Sequence, residues 1–212
     1  MSGIPGQKWG FRQNRSVLIT VPTFENIAPE TFRSIFQNAK NSQVENLDFD
    51  FVKGYDCARA RNKIIEKAIE GKYDYILMVD SDIIIPDDTI KRFYDWDFKI
   101  IFGYSPRKDD PTTTELYKRN SRWGKENRFG MKELSNSDVD LVLTDGGSFG
   151  CVWLSTDIFE KLKPPYFEYV NYANGEALSE DLYFCKKARD AGIELLINTK
   201  VKCKHIAKKI IE

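Results

Sequence analysis

The sequence predicts a single α/β domain: a mixed, mostly parallel sheet flanked by helices. Two observations carry this expectation. From Ser16 to Tyr104, short apolar runs alternate with segments of helical period, as in parallel strands joined by crossover helices. The run Tyr73 to Val79 then ends abruptly in Asp80, Ser81 and Asp82, which reads as a buried strand whose tip emerges at a sheet edge. With 212 residues, 42% hydrophobic and 13% aromatic, the chain is long enough for one substantial core and short for two.

In chain order, residues 1–15 read as an arm packed by Trp9 and Phe11. Ser16 to Val21 is a strand closed by Pro22. Phe32, Ile35, Phe36 and Ala39 recur at helical spacing, with Pro29 near the first turn where proline is tolerated. Phe49 to Val52 is a second strand, stopped near Gly54. A helix follows from about Cys57 to Glu70, with Ile64, Ile65, Ala68 and Ile69 on one face and Gly71 as its stop. Pro86-Asp87-Asp88 opens a helix carrying Ile90, Phe93 and Tyr94 inward, and Lys99 to Tyr104 is a strand.

From Ser105 to Asp138 the pattern dissolves into a polar stretch. Val139 to Leu143 and Cys151 to Leu154 are strands separated by a loop with Gly146, Gly147 and Gly150. Thr156 caps a short helix ended by Pro164-Pro165. Ser179 opens a helix with Leu182, Cys185 and Ala188 on one face and Gly192 past its end. Glu194 to Asn198 is a strand. Val201, Cys203 and His205 then share a face, which turns the only histidine inward among apolar neighbours.

Composition narrows the function. Thirty-two basic and 32 acidic side chains give zero net charge, so no bulk attraction to nucleic acid or anionic membrane follows. No stretch approaches the ~20 apolar residues of a membrane span, and a soluble, cytoplasmic protein is expected. The four cysteines are far apart, without a C-x-x-C pair, and each sits in an apolar pattern, as buried free thiols do. The polar stretch carries Arg107, Lys108, Lys118, Arg119, Arg122, Lys125 and Arg128 among Tyr117, Trp123 and Phe129. Such a mixture suits sugar rings and phosphates, or is a solvated insertion; the neutral total disfavours nucleic acid.

Five acidic or imidazole residues, at three places in the chain, carry chemistry. In an extended chain Asp80 and Asp82 point the same way and can share a divalent cation; the plainer reading is two solvated acids. Glu180 and Asp181 are ordinary first-turn acids of a helix, or hold a carboxylate in place as a base. His205 is a hydrogen-bonded core residue or a metal ligand. Neither G-x-G-x-x-G nor G-x-x-x-x-G-K-[ST] appears, and Ile84, Ile85 and Lys91 exclude an EF-hand.

Read together, these pieces resemble the GT-A (Rossmann-like) nucleotide-sugar glycosyltransferases, in the style of small family-2-like enzymes, over roughly Ser16 to His205. Asp80-Ser81-Asp82 is similar to the DxD motif, Ala58-Arg59-Ala60-Arg61-Asn62 to the start of the helix before the central strand, and Asp145-Gly146-Gly147 to the glycine loop. Glu180-Asp181 resembles the xED motif and His205 the C-terminal metal-binding histidine.

The resemblance implies one catalytic domain over 16–212, with a nucleotide-sugar half (16–104) and an acceptor half (105–212). It implies Mn2+ or Mg2+ on Asp80, Asp82 and His205. Pro22, Thr23, Phe24, Arg59, Arg61, Asn62, Asp80, Ser81, Gly146 and Gly147 would bind the nucleotide-diphosphate sugar, a UDP-sugar favoured. Asp181, with Glu180 beside it, would be the base for a hydroxyl of a glycan or other acceptor, with inversion favoured. Two alternatives stand beside this. A haloacid-dehalogenase-like phosphatase also places Asp-x-Asp after a strand, and a nucleotide-sugar-binding module would keep the fold without turnover.

Overall fold

The computed structural model describes residues 15–96, 98–119, 123–172 and 177–207. Trp9, Phe11 and Arg122, and all of the expected arm except Arg15, lie outside these residues. The first half runs β1 (Val17–Thr23), α1 (Pro29–Asn41), β2 (Leu47–Lys53), α2 (Cys57–Glu70), β3 (Tyr75–Val79), β4 (Ile83–Ile84), α3 (Thr89–Tyr94) and β5 (Ile100–Tyr104). It continues with β6 (Thr113–Lys118), β7 (Arg128–Gly130), α4 (Met131–Ser135), β8 (Leu141–Gly147) and β9 (Cys151–Ser155). The hairpin β10 (Val170–Asn171) and β11 (Ala177–Leu178), α5 (Glu180–Asp190), β12 (Leu195–Lys202) and β13 (Lys204–His205) complete it.

Nine strands form one sheet in the order β2-β1-β3-β9-β5-β12-β8-β6-β7. β1, β2, β3, β5, β6 and β12 run one way, and β7, β8 and β9 run against them. The sheet is therefore mixed and mostly parallel in direction. Its central strands are apolar throughout because both faces are covered. Leu18, Ile76, Met78 and Phe102 pack with Ile64, Ile65 and Phe184 of α2 and α5. The alternate residues Val17, Ile19, Tyr75 and Leu77 pack with Ile35, Phe93 and the fully buried Trp153 on the opposite face.

Several elements depart from the sequence reading. β1 continues through Pro22 to Thr23, with Pro22 in register with Val52 at the end of the ladder. Residues 105–138 are not an irregular insertion: β6, β7 and α4 extend the sheet and bury Leu116, Tyr117, Phe129, Met131 and Leu134. Cys57 is exposed, whereas the other three thiols are buried. Gly71 caps α2 as expected, with φ −76°, and Lys72 after it takes the positive φ, 56°.

The largest departure is α1. Phe32 and Phe36 face outward, while Thr31, Ser34, Ile35 and Asn38 are buried. Hydrogen bonding explains this choice. Asn38 Nδ2 donates to the Pro86 carbonyl (2.6 Å) and its Oδ1 accepts from the Ile90 N–H (3.2 Å); Ser34 Oγ accepts from the Ile85 N–H (3.2 Å). These side chains satisfy backbone groups of the segment that follows the acidic turn, so the helix docks through its polar stripe. Among the described residues no helix is long and apolar enough to cross a membrane.

Asn38→Ala leaves the Ile90 N–H and the Pro86 carbonyl without these side-chain partners. It is expected to cost about 2–3 kcal/mol, from the ~1–3 kcal/mol typical of a buried group left unpaired. Urea unfolding measures this, and a loss below about 0.5 kcal/mol would show that α1 is held by its apolar contacts instead.

Candidate functional site

The acidic turn follows β3 at the carboxyl edge of the parallel strands, where open α/β sheets place their ligands. Its backbone is anchored on both sides: the Asp80 N–H donates to the Gly150 carbonyl (3.0 Å) and the Ile83 N–H to the Asp80 carbonyl (3.1 Å). Because the chain turns here instead of staying extended, Asp80 and Asp82 meet different partners. Asp80 Oδ1 accepts from Arg61 Nη2 at 3.1 Å. Asp82 Oδ2 lies 2.5 Å from Lys108 Nζ and 3.5 Å from His205 Nε2.

His205 reaches Asp82 through a two-strand ladder. β13 pairs antiparallel with β4, setting His205 beside Ile83, and the Ile206 N–H donates to the Asp82 carbonyl at 2.9 Å. Instead of sitting among apolar neighbours, the imidazole lines a cleft. Its Nδ1 is 3.0 Å from the Pro106 carbonyl. A carbonyl only accepts, so Nδ1 carries a hydrogen and Nε2 is the nitrogen that faces Asp82. A neutral ring would point a lone pair at a carboxylate; a proton or a metal cation on Nε2 removes that conflict. Burial favours the protonated form of Asp82, but hydrogen bonds from His205 and Lys108 outweigh it and lower the carboxyl to about 2. The same hydrogen bond to Asp82 raises the His205 pKa.

The second pole is built around Arg61, expected from the resemblance as a donor contact. Asp56 caps α2, accepting from the Arg59 N–H (3.0 Å), and the helix phase then buries Arg61 to 2% exposure. Its Nη1 lies 2.5 Å from Glu180 Oε1 and 2.5 Å from Asp181 Oδ1. The Phe149 and Phe167 rings flank the guanidinium at 5.5 and 5.9 Å and keep water away. Burial disfavours the charge of Arg61, yet its three carboxylate partners raise its pKa. Asp181 also accepts from the Phe149 N–H (3.1 Å). Burial first, then Glu180 and Asp80, push the Asp181 carboxyl up to about 7 against the opposing pull of Arg61.

The other expected donor residues divide. Pro22 and Thr23 are buried at the end of β1, with Thr23 Oγ1 donating to the Asn26 carbonyl (2.8 Å), and Phe24 is 69% exposed. Ser81 offers its carbonyl to the Ala28 N–H at 3.0 Å. Arg59 points to solvent and meets Asp56 at 3.4 Å. Asn62 spends its amide on backbone: Nδ2 donates to the Ala58 and Phe167 carbonyls, and Oδ1 accepts from the Tyr166 and Phe167 N–H groups. The glycines are packing positions. A Cβ on Gly146 would stand 2.4 Å from Cys185 Cβ, and one on Gly147 would stand 2.0 Å from the Glu115 carbonyl oxygen.

A cleft of about 240 Å³ opens beside His205, lined by Ser105, Arg107, Lys108, Glu115 and Ser148 among others. Arg107 pairs with Asp109 and Glu115, and Arg128 Nη2 meets Glu115 at 2.9 Å, so charges of both signs frame it. Sequence reasoning missed Lys108 as a partner of Asp82, and missed Tyr169. Burial and the proximity of Glu180 and Cys57 raise the Tyr169 phenol above its usual range. Lys108 was visible only as one of many basic residues, and Tyr169 carried no signal at all.

Among the described residues no group of three or more histidine, cysteine or acidic side chains is arranged to hold a metal. Asp82 and His205 supply two of the donors a hard divalent ion takes, and Lys108, whose ammonium lies on the same Asp82 Oδ2, would have to swing aside for it. One carboxylate and one imidazole, the latter fixed by a carbonyl on its far nitrogen, is a common donor set. Magnesium-type sites complete their shell with water and substrate phosphates, not with further side chains.

Because the Asp181 pKa is raised on folding, from 3.8 to about 7, the folded state binds the extra proton between those values. That contribution to stability is present at low pH and is lost as pH rises through about 7. Urea unfolding across this window is expected to show wild-type stability falling with pH more steeply than that of Asp181→Asn. Equal slopes would place the titration elsewhere.

The sequence matches no family model and no curated protein. Solved structures are similar in fold. A197 from STIV has a TM-score of 0.63 at 15% identity, over 91% of this chain and 86% of that one. GalNAc-T7, crystallised with UDP, GalNAc and Mn2+, has a TM-score of 0.57 at 10% identity, over 93% of this chain but 45% of that one. At such identities the likeness is one of fold: a single mixed α/β domain of GT-A architecture.

Proposed function

We propose that this chain is a metal-dependent glycosyltransferase. It moves a sugar from a nucleotide-diphosphate sugar, a UDP-sugar favoured, to a hydroxyl of a glycan or other acceptor. The observation that carries this reading is the fixed imidazole of His205 facing Asp82 beside Lys108, at the carboxyl edge of a GT-A sheet. The fold likeness to a protein crystallised with UDP, GalNAc and Mn2+ supports the donor class. Residues 16–104 are the nucleotide-sugar half and 105–212 the acceptor half, the cleft beside His205 lying largely in the latter.

Asp82 and His205 would hold Mn2+ or Mg2+, with Asp80 two residues away. When bound, the ion neutralises the charge that develops on the departing diphosphate. Lys108, whose ammonium already lies against Asp82, adds a positive charge to the same pole. Phe24, exposed at the end of β1, offers a face for the nucleotide base, with Pro22, Thr23 and Ser81 shaping that wall. Arg61 acts from beneath: it holds Asp80 toward the donor and Asp181 toward the acceptor. Asn62 and the glycines Gly146 and Gly147 hold the surrounding backbone, and Arg59 stands at the rim.

Asp181 is the base. It is the less buried of the two acids at the start of α5, with 14% side-chain exposure against 9% for Glu180. It removes the acceptor's hydroxyl proton as the oxygen bonds to the anomeric carbon and the bond to the diphosphate breaks, with inversion. A carboxyl raised to about 7 is a stronger base than an ordinary one. Asp80 is held by Arg61 instead of standing free as a nucleophile, so the phosphatase alternative gains nothing from this geometry.

Asp82→Ala is expected to abolish Mn2+-dependent binding of a UDP-sugar while the fold survives; wild-type affinity by calorimetry would count against the metal site. Asp181→Asn is expected to keep donor binding and lose transfer by about 10²–10⁴-fold. Wild-type transfer should rise with pH through about 7, where the base loses its proton. A panel of UDP-, GDP- and dTDP-sugars screened by thermal stabilisation with Mn2+ identifies the donor.

A further inference from the structure

The four outward phenylalanines of α1 and β2 form one patch. Phe32, Phe36, Phe49 and Phe51 are 48%, 60%, 37% and 51% exposed. Phe32 lies 6.5 Å from Phe36 and 5.8 Å from Phe49, and Phe49 lies 6.4 Å from Phe51, between ring centroids. This exposure runs against ordinary helix packing, since α1 buries Thr31, Ser34 and Asn38 and leaves its phenylalanines in water.

The patch adjoins an open strand edge. Among the described residues β2 pairs only with β1, at one end of the sheet. It has seven residues without proline or glycine. Its acids are held mainly on the α2 face, where Asp48 accepts from the Tyr73 hydroxyl (2.7 Å) and Asp50 pairs with Lys67; Asp50 Oδ1 also accepts from the Phe51 N–H (2.8 Å), the one edge donor that pairing must release. A straight, unpaired strand beside an aromatic patch is a template for another strand.

We propose that this surface is a two-fold interface with a second copy of this chain, the two β2 strands pairing antiparallel. The strand is self-complementary in a register centred on Asp50. Phe49 then faces Phe51 of the second copy, and the reverse, on the α1 side, as aromatic cross-strand pairs do. The two Asp50 side chains meet on the other side, each with its own Lys67. Exposed Glu30, Arg33, Lys40 and Glu45 put both signs of charge near the patch, so two identical faces need not repel. At ~200 Å² per ring, the four side chains expose about 400 Å². That is half of the ~800 Å² each partner contributes to a stable interface, and the flanks of α1 and the strand edge lie beside it to supply the rest.

Sedimentation velocity of the full chain from about 1 to 100 µM tests this. A dimer is expected, and Phe36→Glu with Phe51→Glu should weaken it at least ~100-fold, as removing central aromatic anchors does. Far-UV circular dichroism and melting temperature should stay near wild type in that variant. A wild-type monomer at about 100 µM overturns the proposal, as does a dimer that survives both substitutions. So does a dimer seen only after removal of residues 1–14, which would assign the patch to that segment. Monomers that cosediment through these phenylalanines with phosphatidylcholine–phosphatidylserine vesicles would assign it to a membrane.

Discussion

One buried guanidinium fixes the geometry on which the rest depends. Arg61 is buried, so its charge must be met by protein, and it is met by acids from two distant parts of the chain. Asp80 comes from the tip of β3, and Glu180 and Asp181 from the first turn of α5. Each of these carboxylates would be costly in this place alone, and together they would repel. Around Arg61 they become a single assembly that pins a helix to a strand tip. Removing one partner of such a buried pair typically costs about 3–5 kcal/mol. Neither the turn after β3 nor the start of α5 can drift without exposing that cost, so the acids are oriented before any ligand arrives.

The opposite pole is held by backbone. His205 lies near the end of the described chain, where side chains are poorly constrained unless something ties them down. The ladder between β4 and β13, the Ile206 N–H on the Asp82 carbonyl and the Pro106 carbonyl on Nδ1 constrain it from three directions. The same two-residue strand β4 continues into the segment that Ser34 and Asn38 hold. The polar stripe of α1 is thus linked to the imidazole through a short stretch of backbone, which gives a physical reason why that helix buries amides and hydroxyls and not phenylalanines.

Much of the fold was legible in residues whose burial follows from period alone. The strand tip at Asp80, the α2 boundaries, the Ser179 cap and the central strands all read correctly because local pattern and tertiary burial agree there. The reading failed where the two diverge. α1 shows helical spacing of phenylalanines, but spacing cannot say which side the rest of the protein will offer hydrogen-bond partners to. β6, with its sequence Thr-Thr-Glu-Leu-Tyr-Lys, is buried only in part and carries little hydrophobic signal. In the site, residue types were visible and their partners were not. Asp80 and Asp82 look like one pair in sequence; the turn separates them, one toward Arg61 and one toward Lys108 and His205. Asn62 and the two glycines looked like ligand contacts, yet their surroundings give them packing and backbone roles.

The separation of Asp80 from Asp82 has a chemical consequence. One side of the turn gathers a carboxylate with an ammonium and an imidazole, a pole biased toward positive charge. The other gathers three carboxylates on one guanidinium, a pole biased toward negative charge, where holding a proton on Asp181 relieves the excess. Under the proposed transfer, a diphosphate would be repelled by the second pole and drawn to the first. A neutral hydroxyl would gain nothing from the first, and beside the second it would meet a carboxyl of raised proton affinity. The two proposed substrates would thus be sorted by charge across a turn of three residues. The one residue between the acids, Ser81, gives its carbonyl to the Ala28 N–H, which stiffens the link that keeps the poles apart.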